Sequence, residues 1–250
     1  MYGEDLTDAQ ILFDKIQVNE IEFNNTQSVL VVLNYGNLTI LNSKLSNISS
    51  SLFQFTRSHI KFDQITINQI KCETASSACL ISGKHLDLQI LNSTIKEIES
   101  TKQLIDIVDS TNIILESLNL FKISQIRDSQ DSYAIQVTKA NNLEIKNSHF
   151  SELDFSVFKA KTSNVCIMQT TFSNQESKRI IMSSENERKA IQFMSLEESN
   201  SRMLQNTFIQ GEQNNGGVNK NLVILFISKL GNTNSWNWRK SSNFRMHFPR

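Results

Sequence analysis

One motif returns along most of the chain: a turn residue, then Φ-x-Φ, a polar residue, and Φ-x-x-Φ, where Φ is apolar. Asn37-Leu38-Thr39-Ile40-Leu41-Asn42-Ser43-Lys44-Leu45-Ser46-Asn47-Ile48 shows it in full. With Leu38 as the phase marker, later copies begin at Ile60, Leu88, Ile113, Leu143 and Val165. An earlier copy is assigned to Ile16, and a degraded one to Ser201. Two residues after the marker the chain reads Val18, Ile40, Phe62, Ile90, Leu115, Ile145, Ile167 and Met203. Seven residues after, it reads Phe23, Leu45, Ile67, Ile95, Leu120, Phe150, Phe172 and Phe208. Ten residues after, Ile48, Ile70, Ile98, Ile123 and Leu153 continue the series, whereas Thr26, Gln175 and Gly211 break it. Apolar spacing of two in short β-branched runs belongs to strands with one buried face. A helix needs spacings of three and four sustained over ten or more residues, which this chain lacks.

The residue before each marker is Asn37, His59, Asp87, Asn112, Asn142, Asn164 or Asn200. Asn tolerates left-handed backbone and bonds its own main chain, so a sharp corner is expected there. Stacked on successive repeats, the amides of Asn37, Asn112, Asn142, Asn164 and Asn200 would form a ladder, as amides do in stacked β structure. A second polar column, Asn42, Gln64, Asn92, Ser117, Asn147, Gln169 and Gln205, predicts another bend. A third apolar run follows in each unit: Leu52-Phe53, Leu80-Ile81, Leu104-Ile105, Ala134-Ile135, Val157-Phe158 and Ile180-Ile181. Three strands and two corners in roughly 22 residues predict an all-β chain, a right-handed parallel β-helix solenoid of about eight coils. Leucine-rich repeats share the period. Their asparagine follows the last strand leucine by three residues, however, and Asn42 follows Ile40 by two.

The expected organisation is a lead-in over residues 1–15, the repeat body over 16–218, and a basic, irregular tail over 219–250. From marker to marker the units run 22, 22, 28, 25, 30 and 22 residues. The surplus falls mostly in one corner, in the loops Lys71–Ser77, Glu99–Lys102 and Ser124–Ser132. Insertions kept to one side of a repeat stack mark its binding face, so Glu73, Lys102, Arg127, Asp128 and Asp131 are the candidate contact residues. After residue 212 there are six Lys or Arg, no acid, both Trp and the single Pro.

Charge is balanced at 25 basic and 25 acidic residues, so no global field draws nucleic acid. No apolar stretch is long enough to span a membrane. Residues 1–15 have neither the basic start nor the apolar core of a signal peptide. Cys72 and Cys79 flank one inserted loop. A disulfide stapling that loop in an oxidising compartment and a loop of free thiols both stay open, with Cys166 left over. The cysteines lack CxxC spacing and the four His form no metal-binding motif, so neither metal nor cofactor is expected. Four N-glycosylation sequons, at Asn24, Asn37, Asn47 and Asn92, are about what chance supplies in so Asn/Ser/Thr-rich a chain. Acid pairs for sugar hydrolysis must face each other across a bound sugar. Asp106/Asp109 and Asp128/Asp131 come nearest, and the second pair sits on the longest insertion.

With these columns, residues 16–218 resemble the right-handed parallel β-helices of the pectin-lyase-like superfamily. More narrowly they resemble Asn/Ser-rich repeat segments of large ciliate surface proteins. The matching stretches are Asn42-Ser43-Lys44-Leu45, Asn92-Ser93-Thr94-Ile95, Asn147-Ser148-His149-Phe150 and Gly216-Gly217-Val218. The superfamily's enzymes carry Asn-Thr-Asp, Asp-Asp, Gly-His-Gly or Arg-x-Lys motifs that this chain lacks, so no catalytic residue carries over. The expected function is a non-enzymatic spacer or adhesion segment of a surface or secreted protein, contacting carbohydrate or other surface proteins. The alternatives are a polysaccharide lyase or hydrolase using Asp128 and Asp131, and an intracellular scaffold.

Overall fold

The computed structural model describes residues 10–22, 29–73, 78–126, 133–153, 156–174, 194–210 and 226–228. These residues form strands and short connections, with no helix among them. Every strand pairing among them is parallel. Except at the two ends of the described stack, each strand lies between its counterparts from the repeats before and after. A twelve-stranded sheet holds the third run and the marker run of every unit, and an eight-stranded sheet holds the Φ-x-x-Φ segment.

The marker register runs without a slip through Leu38, Ile60, Leu88, Ile113, Leu143, Val165 and Ser201. The column two residues on, from Ile40 to Met203, pairs in the same order. In the smaller sheet Leu45, Ile67, Ile95, Leu120, Phe150, Phe172 and Phe208 are successive partners. In the third run Phe53, Ile81, Ile105, Ile135 and Phe158 are aligned as the sequence predicts.

The first unit is out of phase with that reading. Ile11, not Ile16, stands beside Leu38, and Phe13 stands beside Ile40. Val18 and Ile21, not Phe23 and Thr26, precede Leu45 and Ile48. Ile16 is itself a corner residue whose amide bonds Ser43 Oγ at 3.1 Å. The first unit is therefore 27 residues long, and its strand Gln10–Asp14 lies inside the stretch read as a lead-in. In the third run, Met194 rather than Ile181 pairs with Phe158. Strand Phe226–Ser228 pairs with Met194–Glu197, within the stretch read as an irregular tail.

The bends explain how a two-residue periodicity turns into a stack. Among the described residues, non-glycine residues with positive φ fall into three columns, with Lys15 opening the first. One is the predicted second polar column, Asn42, Gln64, Asn92, Ser117, Asn147, Gln169 and Gln205, with φ between 48° and 55°. The second contains Tyr35, Arg57, His85, Asp109, Lys139, Thr162 and Glu198. The Asn37 column is therefore not the left-handed corner. The bend comes two or three residues earlier, and Asn37 lies inside the strand Val29–Leu41. The third column, Glu20, Asn47, Gln69, Glu97, Lys122 and Glu152, lies within the smaller sheet's strands. A left-handed residue inserted there turns the strand so that residues three apart, such as Leu45 and Ile48, both face inward. That is the Φ-x-x-Φ spacing.

The inward columns merge into one core. Phe53, Phe55 and Phe62 pack together with ring centroids 4.9–6.3 Å apart, and Phe150 stacks on Phe172 at 5.2 Å. Each buried Leu, Ile or Phe contributes about 1.5–3 kcal/mol. That gain offsets the left-handed residues, which cost about 1–2 kcal/mol each.

Candidate functional site

Length varies at one corner of the repeat, between the smaller sheet and the third run, and the outer face of that third run carries a groove. Its lining includes Gln54 and Thr56 from strand Ser51–Asp63, Ser82 and Lys84 from Ile81–Lys84, and Asp106 and Val108 from Ile105–Glu116. Because side chains alternate along a strand, each strand presents two outward residues, and three neighbouring strands supply six. Register sets Gln54, Ser82, Asp106 and Gln136 in one row. Thr56, Lys84, Val108 and Thr138 form the next. The cavity is about 260 Å³.

Asp106 is its one chemically unsettled member. Its Oδ1 is buried and accepts no hydrogen bond. Burial pushes its carboxyl above the usual carboxylate range, and the charge of Lys102 pulls the other way. A carboxylate oxygen shut away without a donor is costly, so a ligand hydroxyl or amide donating to it would gain that energy back. Asp109, the other half of the pair considered from sequence, lies in the left-handed bend with Oδ1 3.6 Å from Lys139 Nζ.

Of the candidate contact residues, Glu73 is exposed, with Oε1 2.6 Å from Lys71 Nζ. That hydrogen bond, and then the charge of Glu73, raise the Lys71 ammonium above its ordinary value. Lys102 belongs to a tight turn in which Ser100 Oγ accepts from its amide at 3.2 Å and donates to its carbonyl at 2.9 Å. Arg127, Asp128 and Asp131 lie outside the described residues. Cys72 and Cys79 are both buried and disulfide-bonded, closing the first inserted loop, while Cys166 is free and half-buried. Among the described residues no group of three or more His, Cys, Asp or Glu is placed to hold a metal ion. No described helix is long and apolar enough to cross a membrane.

In the asparagine column, Asn142 Nδ2 donates to Asn112 Oδ1 at 2.8 Å, and Asn112 Nδ2 to Asp87 Oδ1 at 3.4 Å. His59 continues the series, its Nδ1 3.3 Å from Asp87 Oδ2. Asn200 Nδ2 donates to Asn164 Oδ1 at 3.0 Å, but Asn164 turns its own amide to the Asn141 carbonyl, so the side-chain chain breaks between Asn142 and Asn164.

Sequence reasoning passed over a second polar device. Directly after each of two left-handed columns comes a buried, mostly small residue. Ser43, Ser93 and Ser148 follow the Asn of the Asn-Ser pairs, and their hydroxyls accept the amides of Ile16, Ile65 and Leu118 in the preceding unit at 3.1–3.2 Å. Each hydroxyl also donates to the carbonyl two residues before it. At the other bend Ser110, Ser163 and Ser199 accept from Leu86, Ala140 and Ser163 at 3.0–3.3 Å. The Asn-Ser recurrence was the available signal: left-handed Asn, then buried Ser. No protein family, curated protein or solved structure matches this chain.

Proposed function

We propose that the chain is a right-handed parallel β-helix segment, of the pectin-lyase-like kind, from a surface or secreted protein. It acts as a rigid spacer whose loop-bearing side makes the contacts. The observation that carries this reading is the marker column, which keeps register from Ile11 to Ser201 while most of the extra length goes into one corner. Constant register with one-sided insertions suits a stalk that presents a surface. About eight coils at about 4.8 Å each make a rod roughly 35–40 Å long. The test is protease shaving of intact source cells followed by peptide mapping. Peptides of this chain in the shaved fraction are the expected result, and their confinement to the cytosol overturns the reading.

One observation favours a second reading, as a polysaccharide-cleaving enzyme: Asp106 lines the groove with a buried Oδ1 that has no hydrogen-bond partner, its carboxyl raised by burial above the usual range. On that reading Asp106 handles the glycosidic bond from the groove, and Asp128 and Asp131, outside the described residues, are the further candidates from sequence. Release of oligosaccharides from acidic polysaccharide, lost in Asp106→Asn and in the Asp128→Asn/Asp131→Asn double variant, would establish it. No release by the unaltered chain would dismiss it.

A further inference from the structure

We infer that the groove on the outer face of the third run takes a free α-amino acid, its carboxylate on Lys84 and its ammonium on Asp106. These two residues line one groove with opposite charge. Among the described residues neither side chain has an ion pair or a hydrogen bond, and they do not pair with each other. Register gives the reason. Ser82 stands beside Asp106 and Lys84 beside Val108, so Lys84 and Asp106 are one strand apart and two residues apart along the strand. One strand spacing is about 4.8 Å and two residues are about 6.6 Å, which sets the pair roughly 8 Å apart on the diagonal. Asp106 is half-buried between Ser82 and Gln136 with Oδ1 shut in, whereas Lys84 is exposed.

The charges select the ligand. A carboxyl oxygen without a donor is costly, so the ligand must bring an N–H or O–H to Asp106. Lys102 is a second cation acting on Asp106. With Lys84 and Lys102 both near, a ligand that is only cationic is repelled. One that is only anionic opposes Asp106. A molecule carrying both charges fits, and an α-amino acid holds them on one carbon, as a residue inside a peptide does not. The neighbours complete the two anchors. Thr56 stands beside Lys84, its hydroxyl a donor for the carboxylate, and Gln54 and Ser82 share the row of Asp106, with oxygens for the remaining ammonium protons. Val108, on the other side of Lys84, is the apolar contact for the ligand's side chain. The cavity of about 260 Å³ is smaller than the roughly 300–1,000 Å³ of drug-sized pockets, which suits a molecule this small. The inference rests on neither reading of the function: a spacer needs no such ligand, and a glycosidic bond brings no ammonium.

Calorimetric titration of the full chain with L-serine, L-leucine and L-glutamate is the test. Saturable binding of at least one of them at millimolar concentration or below is expected. Three further probes remove one feature at a time. L-Serinamide lacks the carboxylate, L-lactate lacks the ammonium, and glycine betaine has both charges but no N–H to donate. Each should bind about tenfold more weakly or worse than the best amino acid. Lys84→Met and Asp106→Asn should each weaken that amino acid about tenfold or more while the far-UV spectrum stays unchanged. No binding of any of the three amino acids at millimolar concentration overturns the inference. Binding of L-lactate or betaine as tight as that of the best amino acid overturns it too, as does undiminished binding by a folded Asp106→Asn.

Discussion

Ser148 shows how single residues hold the stack. It is 3 % exposed, accepts the Leu118 amide at 3.2 Å and donates to the Lys146 carbonyl at 2.7 Å. Ser148→Ala strands the Leu118 amide in the core, whereas the Lys146 carbonyl keeps the Ser117 amide at 3.0 Å, so a loss of about 1–3 kcal/mol is expected, read as a lower urea midpoint at unchanged slope. Asp106 works in the opposite sense. Burial raises its folded carboxyl above the unfolded value. Below the unfolded value both states hold the proton and nothing is lost. As pH climbs through the window up to the folded value, the unfolded chain releases its proton first and stability falls. Above that window the penalty is complete. Asp106→Asn, melted at intervals from about pH 3 to pH 7, should lack this decline and be the more stable protein at neutral pH. A parallel pH profile for the two proteins would mean that Asp106 is solvated.

At the scale of the element, Gly83 and Leu86 form a compensating pair. The position after the strand bend reads Gly36, Ser58, Leu86, Ser110, Ala140, Ser163 and Ser199, so Leu86 is the one large occupant. Its side chain is fully buried and turns into the space of the neighbouring inward column. There the residue is Gly83, between Phe55 and Ile107. A Cβ on Gly83 would stand 2.2 Å from Leu86 Cδ1. Gly83→Ala should cost about 1–3 kcal/mol by overpacking, and Leu86→Ala added to it should recover part of that loss. Additive losses in a double-mutant cycle would show that the two side chains do not compete for one space. The pair is visible in the sequence only once the register is known, since nothing local to strand Ile81–Lys84 says that its glycine is making room for a leucine.

On the scale of the whole molecule, stability is shared along columns rather than gathered at one centre. Ile145 is fully buried between Leu115 and Ile167. Ile145→Asp places an unpaired charge inside the column and removes an apolar contact from the units on both sides. A cost of several kcal/mol is expected, comparable with the stability of a whole domain. Far-UV dichroism should show loss of the β signal, and a melting point close to that of the unaltered chain would refute the column assignment.

Strand type, parallel stacking and the order of the columns were legible in the residues. Alternating burial imposes a period of two on the composition, and every unit repeats it. The phase of the first unit was not, because Ile16, Val18 and Phe23 imitate the column spacing as well as Ile11 and Phe13 do. Hydrogen bonding to Leu38 and its neighbours decides between the two sets. The left-handed bends were half legible. Asn42, Asn92 and Asn147 announce their column, but Arg57, Lys139 and Thr162 adopt the same backbone against their own preference, since the neighbouring units hold them there. The groove around Asp106 was not legible. Its six outward residues come from three strands whose adjacency is a matter of register, and a carboxylate loses its hydrogen-bond donors only when those strands are packed. The sequence by itself determined the repeat and what lies inward, because periodicity is a local property of the chain. Tertiary structure alone decided the phase, the compensations and the chemistry of the outer face, because each depends on which residues become neighbours across a full unit of the repeat.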